Sequence, residues 1–137
     1  MILLNETAAF HSDGTAPTDA DTIFVFGSNL AGVHGAGAAR AAKEKFGAKM
    51  GKGVGLVGQS YAIPTKDESI TTMPISEIEP YIQEFNEFVR LNPGMKFFVT
   101  RIGCQLAGYK DKDIAPMFKA YKNCSFAKEW KGLVGKP

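Results

Sequence analysis

The residues best suited to chemistry lie in two glycine-containing loops. The first, Gly27-Ser28-Asn29-Leu30-Ala31-Gly32-Val33-His34-Gly35-Ala36-Gly37, separates an apolar run from an alanine-rich stretch. Glycine admits positive φ and lets a ligand approach the main chain, and the amides at a helix start attract anions. A phosphate suits such a loop. A tight strand-to-helix turn calls for the same glycines, so the local sequence supports both readings. Asn29 adds an amide that can donate to and accept from a pair of sugar hydroxyls. The second loop, Thr100-Arg101-Ile102-Gly103-Cys104-Gln105-Leu106-Ala107-Gly108-Tyr109, contains two glycines and one arginine. Its amides suit a second anion-binding concavity. Arg101 can pair with phosphate through both prongs of its guanidinium or form a salt bridge within the fold.

Other candidates carry less. Gly53-Val54-Gly55-Leu56-Val57-Gly58 matches the dinucleotide-binding fingerprint as a string, but a proline-containing strand follows it where a helix is required, so it reads as a glycine turn. Cys104 has no histidine nearby in sequence to activate it and reads as apolar filling. His11 and His34 make no metal-ligand spacing, and HExxH, CxxC and GxSxG patterns are missing, so no metal site or cofactor is implied. Arg40, Lys43, Lys45, Lys49 and Lys52 raise the possibility of nucleic acid, although a solvated helix face accounts for the same charges.

The elements that position these loops follow from periodicity. Ile23-Phe24-Val25-Phe26 is a continuous apolar run between Asp21 and Gly27, the pattern of a central strand covered on both faces. The alanine-rich stretch to Phe46 predicts a helix ended by Gly47. Residues 51–58 predict a turn feeding a strand at Gln59–Ile63, which Pro64 ends. Ser76, with Glu79 completing a capping box, opens a helix in which Ile78, Tyr81, Ile82, Phe85, Phe88 and Val89 recur at helical spacing until Asn92-Pro93-Gly94. Phe97–Thr100 predicts a second buried strand, and Asp111 caps a short helix reaching Tyr121. The alternation predicts an α/β fold of three layers, a mainly parallel sheet flanked by helices, with a ligand crevice beyond the carboxyl ends of the strands. Residues 1–22 read as an arm or edge strand followed by a loop, and the tail at 122–137 shows no clear element.

At 137 residues the chain suits one domain, 1–137, burying roughly two-thirds of its unfolded surface. A composition 45% hydrophobic and 22% charged disfavours disorder, and a net charge of +2 is too small to announce a nucleic-acid binder. No apolar run approaches the ~20 residues of a membrane span, and the start lacks the pattern of a secretion signal. A cytoplasmic location is expected, with Cys104 and Cys124 as free thiols. Oligomeric state stays open, with Phe10, Trp130 and Leu133 as candidates to cover a partner.

The order of these blocks resembles the macrodomain family, which binds ADP-ribose, over residues 23–120. The likeness is strongest to the branch that removes terminal ADP-ribose from protein carboxylates, in Gly35-Ala36-Gly37 through Lys45-Phe46-Gly47 and in Arg101-Ile102-Gly103-Cys104. The chain also resembles a group of phage-encoded proteins sharing the GSNL, GQSYAIPTKD and RIGC-x-LAGY blocks. The resemblance implies a small nucleotide partner, with Asn29 near the distal ribose, Gly35, Ala36 and Gly37 at the diphosphate or ribose, and Gly103, Cys104, Gln105 and Leu106 in the second diphosphate loop; Gly27, Ser28, Arg101, Gly108 and Tyr109 are the further ligand-binding candidates. In a phage setting it implies sequestration of an immune signal. A hydrolase that releases ADP-ribose from a macromolecule is the alternative, with Lys66 and Asn29 as its catalytic candidates. Lys66 matches the lysine of that branch, but its partner aspartate is replaced by Ala107, which relays no proton. Asp67 and Asp111 are the substitutes, Asp111 reading better as a helix cap. A nucleic-acid-binding accessory protein is the third reading.

Overall fold

The computed structural model describes residues 8–137, so part of the amino-terminal arm, residues 1–7, lies outside the described residues. Strand β2 (Ile23–Asn29) carries the first apolar run and continues through Gly27 and Ser28 into the first loop. It pairs in parallel with β4 (Ser60–Lys66) on one side and with β5 (Phe97–Val99) on the other. The amino-terminal strand β1 (Ala9–His11), the short β3 (Gly55–Val57) and β6 (Cys124–Ala127) complete a six-stranded sheet in the order β1-β6-β5-β2-β4-β3. Only β3 runs antiparallel, against β4. The fold is thus α/β, a mostly parallel mixed sheet with helices on both faces.

Alternation along β2 divides the core. Ile23 and Val25 face a large cluster with Tyr61, Ile63, Phe97 and Val99, closed by the stripe Ile78, Ile82, Phe85 and Val89 of helix α2 (Ile75–Leu91). Phe24 and Phe26 face the other side, with Phe98, Ala62 and Phe46 beneath helix α1 (Gly37–Lys45). Helix α1 stops where expected, with Gly47 at φ +79.

Several expectations need correction. Helix α2 begins at Ile75 after Pro74 and has no side-chain cap, so Ser76 and Glu79 form no capping box. Pro64 does not end its strand: β4 runs on to Lys66, and the proline is tolerated because β3 pairs only with residues 60–62, leaving Pro64 beyond its reach. The helix after the second loop is a single turn, α3 (Asp111–Ile114), followed by a 3-10 turn at Ala115–Met117. Asp111 is its first residue, not its cap. The tail is an integral part of the sheet, since β6 lies between β1 and β5. Trp130, in the turn after β6, is fully buried against Phe118 and Phe126 and covers no partner. Both cysteines are free. Among the described residues no helix is long and apolar enough to cross a membrane.

Candidate functional site

The carboxyl ends of β2, β4 and β5 open on a cleft of about 600 Å3, within the range of small-molecule sites. The two glycine loops form its opposite walls. Gly27, Ser28, Asn29, Gly35, Ala36 and Gly37 line one side, and Arg101, Gly103, Gln105 and Leu106 line the other. The walls come together closely: a Cβ placed on Gly37 would sit 3.5 Å from Leu106 Cδ1. Gly37 itself has φ +58, which lets the chain turn directly into α1. Along the cleft, α1 presents only Ala38, Ala39 and Ala41 before Lys45 and Phe46, and these small side chains keep the space open.

The chemistry of this cleft is that of the main chain. The amides of Gly35, Ala36, Gly37, Ala38 and Ala39 donate to no group among the described residues, and α1 has neither a side-chain cap nor an acidic residue in its first turn. Across the cleft, the amides of Gly103, Gln105, Leu106 and Ala107 are also without an acceptor, while Cys104, Gly108 and Tyr109 donate to carbonyls of their own loop. Two rows of unpaired donors, one reinforced by a helix dipole, make a site for a polyanion.

The side chains near these rows are largely committed elsewhere. Asn29, 8% exposed, donates from Nδ2 to the Val33 carbonyl and accepts the Val33 amide at Oδ1, each at 2.9 Å, so its carboxamide shapes the loop. Ser28 Oγ donates to the Gly53 carbonyl. Arg101 resolves its two readings as a salt bridge. Its Nε and Nη2 donate to the two carboxylate oxygens of Asp111 at 3.0 and 2.7 Å, and Nη1 donates to Asp13 at 3.1 Å. Trp130 Nε1 also donates to Asp111, at 2.7 Å. The guanidinium, followed by the indole, holds the Asp111 carboxyl below its ordinary range. The guanidinium is therefore engaged within the fold, and the unpaired donors of the two loops are main-chain amides.

Three expected site residues do not line the cleft. Cys104 is half-buried, and burial, aided by the Asp111 charge, pushes its thiol up to about 12, so it holds its proton and is no nucleophile at neutral pH. Gly108 and Tyr109 close the loop from behind, where the Tyr109 hydroxyl donates to the Met73 carbonyl at 2.6 Å.

Lys66, at the end of β4, does line the cleft and has no carboxylate within salt-bridge distance among the described residues. Neither substitute for the missing aspartate is free. Asp67 Oδ1 accepts the amides of Ser69 and Thr71, at 2.8 and 3.0 Å, and Asp111 is held by Arg101 and Trp130.

The glycine turn before β3 buttresses the first loop. A Cβ on Gly53 would overlap the Asn29 carbonyl, and one on Gly32 would overlap the main chain of Gly51. His34, fully buried, places Nε2 at 3.0 and 3.1 Å from the carbonyls of Lys49 and Lys52, which assigns its hydrogen to Nε2. A third wall, Asp13 to Ala16, and Ile70 beside Lys66 also line the cleft. Ser12-Asp13-Gly14 reads locally only as a turn, and its partner Arg101 is 88 positions away. No family model, curated protein or solved structure gives a match to this chain.

Proposed function

We propose that the cleft binds ADP-ribose or a related NAD-derived nucleotide, with its diphosphate between the two rows of amides. The observation that carries this reading is the pair of unpaired donor rows, residues 35–39 and residues 103 and 105–107, lining one cleft of nucleotide size. Lys66 and Lys45 add positive charge at the cleft, and the alanine wall of α1 leaves room for the rest of the ligand. The block order shared with macrodomains supports the same assignment. Binding is favoured over hydrolysis because, among the described residues, no carboxylate lies within salt-bridge distance of Lys66 to assist it.

The test is thermal denaturation with and without ADP-ribose. A ligand at ~100 times its dissociation constant adds about 2.7 kcal/mol to the folded state. Gly35 takes a side chain without strain: its φ is not positive, and a Cβ would meet nothing within 4 Å. Gly35→Asp should therefore fold normally while its carboxylate occupies the anion site, and the stabilisation by ADP-ribose should disappear. An unchanged ligand response in this variant refutes the placement. Duplex DNA should leave the melting temperature unmoved, and release of ADP-ribose from a modified protein, lost in Lys66→Ala, would replace binding with hydrolysis.

A further inference from the structure

The third wall of the cleft, residues 13–16, is fastened differently from the other two. It belongs to a strap that runs between two fixed points. Before it, the His11 ring stacks on Phe98 with centroids 3.7 Å apart, and His11 Nδ1 lies 2.7 Å from Ser125 Oγ. After it, the Asp19 carboxylate accepts the amides of Asp21 and Thr22, and the Asp19 carbonyl accepts Gln59 Nε2 at 3.0 Å. Between these points no side chain is fully buried, and Gly14 has φ +79. The strap's other hydrogen bonds are local, from the Gly14 amide to Asp13 Oδ1 and from Thr15 to the Ser12 carbonyl. Among the described residues, one group of residues 13–18 bonds to the rest of the protein. It is the Asp13 carboxylate, whose Oδ2 accepts Arg101 Nη1 at 3.1 Å and Gln105 Nε2 at 3.4 Å.

The two sides of this contact are unequal. Arg101 has its own fork to Asp111 through Nε and Nη2, so the loop after β5 does not depend on the strap. The strap has no second attachment. Asp13 is also the only acidic residue lining the cleft among the described residues, and the two donors it engages stand on the loop that carries the unpaired amides of Gly103 and Gln105.

We propose that Asp13 is an autoinhibitory latch, which holds residues 13–18 against the cleft and masks Arg101 Nη1 and Gln105 Nε2 until an anionic ligand displaces it. This rests on the nucleotide reading above only in taking the ligand to be a polyanion, and it places no part of that ligand. A carboxylate in such a cleft opposes binding by like-charge repulsion, and an ion pair near the surface holds a strap weakly enough to be released. Release adds two side-chain donors to the amides of the loop. The apparent affinity is then the intrinsic one, reduced by the fraction of molecules in which the latch is open.

NMR relaxation of the ligand-free full chain tests the latch, and calorimetric titration with ADP-ribose and with inorganic pyrophosphate tests the inhibition. In the unmodified protein the amides of Gly14, Thr15 and Ala16 should show the order parameters of rigid backbone, ~0.85, and in Asp13→Ala these should fall below about 0.6 while those of α2 stay unchanged. Asp13→Glu, which keeps the carboxylate, should stay closer to the unmodified protein. Asp13→Ala should bind both anions about fivefold more tightly, and the gain should shrink when Gln105→Ala is added. A strap that stays rigid in Asp13→Ala overturns the latch. An affinity that is equal or weaker in that variant overturns the inhibition and leaves nucleotide binding intact. If neither anion binds either protein, the nucleotide reading itself fails and the autoinhibitory role fails with it.

Discussion

The two faces of the sheet are built differently. Beneath α2, large side chains interlock: Phe85 meets Tyr61, Phe97 and Phe118 edge to face, and Trp130 lies against Phe118 and Phe126. Beneath α1, Phe24, Phe26, Phe46 and Phe98 form a thinner layer, and the helix contributes one fully buried residue, Ala42. The first face is filled and supplies stability. The second leaves space between α1 and the loop after β5, and the cleft occupies it. The cleft thus lies where packing is sparse, and the larger share of the core lies across the sheet.

The largest effect that separates the two faces should come from Phe85→Ala. Removing a fully buried phenyl ring costs about 3–5 kcal/mol, measured by urea denaturation. The folded fraction should still bind the nucleotide with unchanged affinity; a weakened site would show that the α2 face also shapes the cleft.

Next in size is Asp111→Asn, at the junction of the cleft loop with Asp13 and Trp130. Loss of the charged fork to Arg101 should cost about 1–3 kcal/mol at pH 7. The folded protein holds the Asp111 carboxyl below its unfolded value, so this stabilisation is complete above the ordinary aspartate range, ~3.9, and is lost as pH falls through the depressed folded value. The stability difference between the two proteins should shrink on acidification, and a gap that stays constant down to pH 2 contradicts this account.

A sharper test of the open face is Ala38→Leu. The half-buried Ala38 lines the cleft, so a larger side chain should abolish nucleotide-induced stabilisation while changing the ligand-free stability by less than about 1 kcal/mol. Retained binding would mean the ligand lies elsewhere. The smallest effect belongs to Arg40→Ala on the solvent side of the same helix. Its pair with Glu44 is well exposed, and loss of about 0.3–0.5 kcal/mol is expected, with no change in affinity.

Much of the fold is legible because its signals are local. The apolar runs at 23–26 and 97–99 name the central strands, the α2 stripe declares its buried face at helical spacing, and Gly35 and Gly37 mark a loop with bare main chain at a helix start. Each of these is set within a few residues by backbone sterics and side-chain periodicity. The cleft's two principal walls could be named on that basis. The capping box at Ser76 misled because the preceding proline already fixes the extended entry to the helix, leaving the serine inside it.

What the tertiary structure alone decided is which distant groups meet. The place of β6 between β1 and β5 brings the tail into the core and buries Trp130, and the crossing of β1 beside it carries Asp13 to Arg101. Asp13 adds a third bond to the two that Asp111 already accepts, so an arginine suited to phosphate becomes a structural tie and the unpaired amides are left as free donors of the two loops. The composition of a loop reveals which donors it owns. Whether each donor is already satisfied depends on strand order, because a partner many residues away leaves no periodicity in the chain.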